Sequence, residues 1–363
     1  MPIYMDRHDL PEAVTAEEVA RLHQEDLKIE HEFGCKGMTY WFDEERQTAF
    51  CLIQAPNKKA LQDMHNHAHG AIANSIIEVD PGIVESFLGR IEDPEKARNT
   101  DLNIINDPAF RVLMLVAFRS FDIRVSCEES LRNIVLQARE RINDLIDSNG
   151  GRSVQSNAFS NLVSFGSVAN AVDCVRAIAA EFDKKMYDKD KLGLSIGLSS
   201  GLPIEHDSDL FGETIKQAER LCHVVQGDIV MTSEVRDLYE SENLNAVIDT
   251  QRIRGLSPAE EQFLTDLMNF TEENWNRSDL RVEDFCSGLG LSKAQLYRKV
   301  KSLTGKSLNT FVKLYRLERA LDLLLKKKGN ISEVAFDTGF NSPAYFSKCF
   351  HSAYGLLPSD LDN

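Results

Sequence analysis

Nowhere in the 363 residues do about 18 apolar side chains follow one another, the length a helix needs to cross a bilayer, so insertion in a membrane is set aside. The first ten residues hold Asp6, Arg7, His8 and Asp9 where an export signal needs an apolar stretch, and a cytoplasmic address is expected. Cysteine is sparse and unpatterned. Cys35, Cys51, Cys127, Cys174, Cys222, Cys286 and Cys349 are odd in number, scattered and never form Cys-x-x-Cys, which disfavours a disulfide framework and a zinc knuckle. A phosphoacceptor receiver or kinase motif is also lacking, so phosphorelay input is not expected. What remains, 42% hydrophobic and 27% charged residues, is the composition of a soluble globular chain. Its length fits two or three domains of about 100 to 150 residues, and three are expected.

The net charge of −16 opposes nucleic-acid binding until it is divided along the chain. Residues 291–328 carry eleven basic side chains against Glu318 and Asp322, a local +9. Remote acidic surface is screened over a Debye length of about 8 Å, whereas a basic face touching phosphates is not.

That basic segment lies within an internal repeat. At an offset of fifty residues Ser292 matches Ser342, Leu296 matches Phe346, Arg298 matches Lys348, Val300 matches Phe350 and Gly305 matches Gly355. Each copy predicts a short helix, a turn with glycine and a second helix: 282–288 then 292–303, and 332–338 then 342–353. Ser292 and Ser342 suit N-caps, Pro343 suits a first turn, and Gly290 and Gly339 relieve the tight turns. Between the copies, Phe311, Leu314, Leu317, Leu321 and Leu324 recur at helical spacing, predicting a connecting helix over 308–326. Its length of roughly 28 Å could set two recognition helices in successive major grooves, about 34 Å apart, so double-stranded DNA is the expected partner.

These residues resemble the AraC/XylS family of bacterial transcription regulators over about 257–360. The most specific stretch runs from Val334 through Gly339-Phe340-Asn341-Ser342-Pro343 to Phe350, with Gly355 and Pro358 after it. Gly290-Leu291-Ser292-Lys293-Ala294-Gln295-Leu296-Tyr297-Arg298-Lys299 is similar to the same family, particularly to output domains of hybrid two-component regulators. The resemblance implies sequence-specific DNA binding. Asp360-Leu361 replaces the family's aromatic-basic ending. By helix geometry Lys293, Gln295 and Arg298, and Asn341, Ala344 and Ser347, face base edges. Lys299, Lys301 and Lys348 are expected to hold phosphates.

From about 110 to 250 the chain reads as an α/β domain opened by the apolar strand 112–118. It resembles the class III nucleotide cyclase homology domain through Gly150-Gly151, residues 161–165, 194–201, Asp209-Leu210-Phe211-Gly212 and Ala218-Glu219-Arg220-Leu221. Active members hold two metal ions with two aspartates. Here one position falls on Phe118, or on Arg119 with a slip of one, and the other on Phe159, preceded by Ala158. Lys216 takes the place of the family's transition-state asparagine, and Arg220 matches its arginine partner. The resemblance implies a degenerate cyclase kept for homodimerisation or ligand sensing.

Residues 1–88 alternate strand and helix over 3–8, 15–33, 38–43, 48–54, 57–72 and 75–79, a βαββαβ order that predicts a ferredoxin-like α/β sandwich. Thr15 with Glu18 forms a capping box and Asn57 caps the second helix. Pro81-Gly82 closes the unit, and 89–109 reads as linker. The whole is therefore expected to be a multidomain α+β chain: ferredoxin-like sandwich, cyclase-like domain and, over 257–363, an all-α double helix-turn-helix domain.

Six of the nine histidines lie in the head, and His65 and His69 are four residues apart, a spacing that lets two imidazoles reach one metal while His67 points away. The head resembles a small ferredoxin-like family, some of whose members are described as nickel-binding. The match runs through Met5-Asp6-Arg7-His8, His23-Gln24-Glu25-Asp26, Tyr40-Trp41, Phe50-Cys51-Leu52, Ala55-Pro56 and His65 with His69-Gly70. It implies a transition-metal site, nickel by resemblance, at His8, His23, Asp26, Cys51, His65 and His69. The plainer alternative packs His23 in an apolar stripe and Cys51 in a core strand. Functionally, a one-component, non-enzymatic regulator sensing a metal or small ligand stands against two other readings. One is a nucleotide cyclase fused to a DNA-binding tail, which the missing aspartates oppose. The other is a metal-buffering protein, which the double helix-turn-helix opposes.

Overall fold

The computed structural model describes residues 1–11, 13–70, 73–94, 102–119, 129–157, 159–184, 193–205, 209–243 and 252–361, with backbone alone at 119, 129–132 and 184. The head runs β1 (Ile3–Asp9), α1 (Ala16–Ile29), β2 (Lys36–Asp43), β3 (Thr48–Gln54), α2 (Lys58–Ala68) and β4 (Ser75–Glu78). The sheet order is β2-β3-β1-β4 with every pairing antiparallel, the expected ferredoxin-like arrangement. The Thr15–Glu18 capping box opens α1, and Asn57 caps α2. Two helices are shorter than expected. After Ile29 the chain tightens into a 3-10 turn, Glu30–Phe33, stopped by Gly34 at φ +64°, and α2 stops at Ala68.

Successive side chains of a strand face opposite ways, and β1 uses both faces. Tyr4, Asp6 and His8 turn toward α1 and α2, whereas Met5 and Arg7 turn away from them. After the sheet comes a helix the sequence reading did not anticipate, α3 (Pro81–Leu88), capped by Asp80 with Pro81 in its first turn. The expected linker also differs: its described part lies against the head. Arg90 stacks over Trp41 at 4.4 Å, pairs with Asp107 at 3.2 Å and donates to the Tyr40 carbonyl at 2.7 Å. Ile105 is buried, and its N–H donates to the Tyr40 hydroxyl at 2.8 Å. Prolines and polar residues flag a loop, but apolar Ile91, Leu102, Ile104 and Ile105 anchor it.

The middle unit comprises β5 (Arg111–Arg119), α4 (Glu129–Ser148), β6 (Arg152–Ser156), β7 (Ser160–Phe165), α5 (Val168–Lys184), β8 (Gly193–Gly201), α6 (Gly212–His223), β9 (Ile229–Met231), α7 (Ser233–Glu242) and β10 (Ile253–Gly255). Its sheet order is β10-β9-β8-β5-β7-β6, so the sheet closes on a strand beyond the expected boundary at 250. Central β5 alternates. Val112, Met114 and Val116 pack with α4, α5 and α7, while Leu113, Leu115 and Ala117 share a core with Met5, Trp41, Phe50 and Leu52 of the head and Phe87 of α3. Head and middle therefore bury one common apolar layer, a non-directional attraction of roughly 25 cal/mol per Å².

The tail consists of α8 (Pro258–Asn274), α9 (Val282–Leu289), α10 (Lys293–Thr304), α11 (Leu308–Leu325), α12 (Ile331–Asp337) and α13 (Pro343–Tyr354). The fifty-residue repeat recurs in its geometry. Ser292 and Ser342 cap α10 and α13, Gly305 and Gly355 end them at φ +70° and +73°, and Leu296, Val300, Phe346 and Phe350 are wholly buried. At Gly339, φ is +77° and a Cβ would meet the Asn276 carbonyl at 2.9 Å, so the second turn requires glycine. The two units are held differently. Phe285, Leu296, Val300 and Leu303 share a core with Leu221, Val225 and Val230 of the middle unit, whereas Leu317, Leu321, Val334, Phe346 and Phe350 form a core of their own. Among the described residues no helix is long and apolar enough to cross a membrane.

Candidate metal centre and nucleic-acid interface

All six metal candidates line one cavity of about 30 Å³ between β1, β3, α1 and α2. Their donor atoms converge in two groups, Asp6–His8–Cys51 and Asp26–His65–His69, each within 4.8 Å. His65 joins them: its Nε2 lies 2.7 Å from Asp6 Oδ2 and its Nδ1 3.0 Å from Asp26 Oδ1. His69 follows the last residue of α2, yet its Nε2 still reaches Asp26 Oδ2 at 3.3 Å. His8 lies 3.5 Å from Asp6 Oδ1, with its ring edge-on to His65 at 5.1 Å. His23 lines the cavity but belongs to neither converging group, and its ring lies against Tyr40 at 4.8 Å. His67 points away as expected, exposed and bonded to the Asp63 carbonyl.

Charge sets the protonation of the site. Burial works against an imidazolium at His65, but the hydrogen bonds it donates to Asp26 and Asp6 outweigh burial and push the group up to about 10. Burial likewise opposes the charge of Asp26 and Asp6, and their histidine partners hold both carboxyls below the usual range. Burial pushes the His23 imidazole down and the Cys51 thiol well up, the latter reinforced by the field of Asp6. His8 and His69 lie against the same two carboxylates, at 3.5 and 3.2 Å, so three imidazoles surround the buried acidic pair. The imidazole, carboxylate and thiol donors match those a borderline divalent ion such as nickel takes, and a cavity of about 30 Å³ has room for a single ion. The residues fit the group.

Sequence reasoning missed Asp6 as a site residue. Besides His65, its carboxylate accepts from the Cys51 N–H at 3.0 Å, and it is fully buried. The available signal was strand parity: Asp6 shares a face with His8.

In the tail, Lys293, Gln295, Arg298, Lys301, Asn341, Ala344 and Lys348 are exposed and Ser347 is half-buried. Several are already engaged. Gln295 completes the capping box, its Oε1 accepting from the Ser292 N–H at 3.0 Å and hydroxyl at 2.7 Å, so its amide N–H groups alone remain for a base. Lys293 pairs with Glu283 at 3.4 Å, and Lys301 donates to the Gly305 carbonyl at 2.6 Å. Lys299 lies 5.0 Å over the Phe263 ring. Arg316, counted in the basic segment, instead pins the turns by donating to the carbonyls of Trp275, Gly339 and Arg277. Exposed Tyr297 and Tyr345 stand beside the named positions and were not singled out from sequence.

In the middle unit the Phe118 N–H donates to the Phe159 carbonyl at 3.0 Å, and both rings pack with Val135 and Ala138. Ala158 and the Arg119 side chain lie outside the described residues. Lys216 pairs with Glu213 on the surface, while buried Arg220 donates to Asn269 and Glu272 of α8.

Fold and site together define a chain with a ferredoxin-like head closed around a histidine–aspartate pocket and an all-α tail of two helix-turn-helix units. Residues 4–79 match the family described as nickel responsive protein SCO4226-like, and residues 285–363 match the helix-turn-helix domain family. The chain thus carries a SCO4226-like domain at its amino end and an AraC-type helix-turn-helix domain at its carboxyl end. It is similar to histidine kinase P4 of Formosa agariphila, 37% identical over 108 residues, which are 30% of this chain and 8% of that protein. It is also similar to the HTH-type transcriptional activator RhaS of Mannheimia succiniciproducens, 32% identical over 95 residues, 26% of this chain and 35% of that one. The chain therefore spans well under half the length of either relative. Among solved structures, SCO4226 of Streptomyces coelicolor is 31% identical, covering 21% of this chain and 94% of that chain with a TM-score of 0.21.

Proposed function

We propose that this chain is a one-component, sequence-specific DNA-binding transcription regulator of the bacterial cytoplasm, in which capture of a divalent ion by the head alters how the tail engages DNA. The observation that carries the reading is the twin recognition helix: two helices fifty residues apart, capped and ended alike, each presenting exposed polar side chains from a buried apolar seam. Arg298, Lys293 and the Gln295 amide read bases from α10, and Asn341, Ala344 and Ser347 from α13, with Lys299, Lys301 and Lys348 near phosphates.

For the head, His8, Asp26, Cys51, His65 and His69, with Asp6 added and His23 behind them, hold nickel or a like ion. A bound ion supplies positive charge beside the two buried carboxylates, Asp6 and Asp26. The middle unit serves as a non-catalytic cyclase homologue and homodimer contact, a reading supported by phenylalanine at both expected metal positions, since Phe118 and Phe159 cannot ligate a cation. The units are taken as 1–88, 110–250 carried on to Gly255 by β10, and 257–363, with 89–109 as the joining segment.

Genomic footprinting of the tagged protein with and without added nickel tests this. Discrete sites whose occupancy changes with the metal are expected. Absence of discrete sites would end the DNA reading, and occupancy indifferent to metal would end the sensing reading. Cyclic nucleotide formed from ATP or GTP, and lost with Arg111–Gly255 deleted, would favour the enzyme instead.

A further inference from the structure

Where α8 of the tail crosses the middle unit, a cavity of about 230 Å³ opens between β8, α6, the start of α7 and α8. Four glutamates line it, Glu205, Glu213, Glu234 and Glu261; Glu213 pairs with Lys216 at 2.9 Å, and the one basic side chain of the lining, Arg220, is already committed to Asn269 and Glu272. Glu234 accepts from the Ser200 hydroxyl at 2.7 Å and Glu261 from the Ser233 N–H at 2.5 Å. Both donors are neutral, so they orient these carboxylates without balancing their charge. A separate observation points the same way. The Thr214 hydroxyl, on a residue 3% exposed in the cavity wall, makes no hydrogen bond. A Cβ at Gly201 would collide with both that hydroxyl and the Glu205 carboxylate, so the glycine holds the space beneath them open. A buried polar atom left without a partner costs about 1–3 kcal/mol, and this one stands in the wall that also carries the four carboxylates.

We infer that this cavity binds a small organic polycation, an aliphatic diamine or polyamine, whose ammonium groups meet Glu234 and Glu261 and donate to the Thr214 hydroxyl. A nucleotide does not suit it, because its phosphates would face four carboxylates. A single metal ion does not suit it either. Among the described residues, three donors from His, Cys, Asp or Glu converge within 4.8 Å only at the two head groups, so these carboxylates are spread for an extended cation. Glu234 comes from the middle unit and Glu261 from the tail, so an occupant bridges the two. This inference does not rest on the DNA reading and survives its failure.

The test uses the full chain, with putrescine and spermidine as probes in calorimetry at fixed ionic strength, and magnesium as a competing arm. Saturable binding is expected that magnesium at equal ionic strength does not displace. Each charged hydrogen bond lost should weaken it about tenfold or more, so Glu234→Gln and Glu261→Gln, which keep the acceptors for Ser200 and Ser233, each reduce affinity by at least that factor. Thr265→Lys, on the half-buried rim, supplies a tethered ammonium and abolishes binding even if a glutamine variant folds poorly. No saturable binding, equal displacement by magnesium, or affinity unchanged in Thr265→Lys would overturn the assignment.

Discussion

The N–H of Gln226 donates to the carbonyl of Leu303 across 2.8 Å, joining the turn that follows α6 to the last turn of the first recognition helix. Arg254 reinforces the joint, donating from Nη1 to the carbonyls of Gln226 at 3.0 Å and Leu303 at 3.3 Å. The final carbonyls of a helix have no partner within it, and here another domain supplies one. Together with the shared core, this makes the middle unit and the first helix-turn-helix a single body, while the second helix-turn-helix has its own core on the far half of α11.

That joint predicts coupled melting. Leu256 is fully buried where the two meet. Leu256→Ala should cost about 2–5 kcal/mol, as for other buried leucines, and hydrogen exchange should accelerate together in β9, α8 and α10, sparing α12 and α13. Acceleration confined to the tail would show that the body is not shared.

Gln295 caps its helix and, on the proposed reading, contacts a base, and substitution can separate the two. Gln295→Glu keeps the capping acceptor but loses the amide donors, so the tail should melt as before while its preference for adenine at one position disappears. Gln295→Ala should lose both. Arg298→Ala should cost about 1–3 kcal/mol at preferred sites only. Selection on random duplexes, read beside a melting curve, checks all three; an unchanged motif in every variant would move the reading face elsewhere.

Metal binding should strengthen with pH well beyond the ordinary histidine range. Ligation needs neutral imidazole, and from sequence alone affinity falls as pH drops through about 6.5. His65 instead holds its proton to about 10, so the competing proton persists between those values and affinity should rise by up to about tenfold per pH unit across the window. The same shift sets the sign for the metal-free head: the stability contributed by this imidazolium is complete below about pH 6.5 and is lost as pH rises through about 10. Calorimetry in two buffers of different ionisation enthalpy measures the proton released; none released would mean His65 is no ligand.

Asp6→Asn should weaken metal binding about 10- to 100-fold, the usual effect of removing a ligand or the group that orients one. His67→Ala should change nothing. Titration of both variants with nickel decides whether the missed aspartate belongs to the site.

The sequence was most legible where one chain segment repeats or alternates. The fifty-residue offset located both recognition helices because caps, seam and closing glycine recur together, and strand-helix alternation gave the order of the head. Candidate ligands from four separate elements came through resemblance, since no local pattern places Cys51 of β3 beside His65 of α2. Asp6 stayed hidden because an acidic residue on a short strand reads as exposed until the opposite face is known to be covered. The residues joining units were harder still. Arg90 and Arg111 read as surface charge, yet Arg111 is buried with its guanidinium on the carbonyls of Phe87, Leu88, Pro108 and Phe110. Nothing local in sequence marks a cation that serves as a bracket between domains.

The two-faced first strand bears on how such proteins are assembled. Asp6 and His8 look into the histidine–aspartate pocket while Met5 and Arg7 look out, and the Arg7 guanidinium donates to the Ile204 carbonyl of the middle unit at 2.7 Å. Pocket and docking surface are thus written into alternate letters of one short word. A head of this kind cannot be exchanged like a cartridge: a foreign head with a perfect pocket but the wrong intervening residues would bind its ion and tell the rest of the chain nothing. Recombination that exchanges such a head must therefore carry the middle unit along with it, rather than cut at the apparent seam between them.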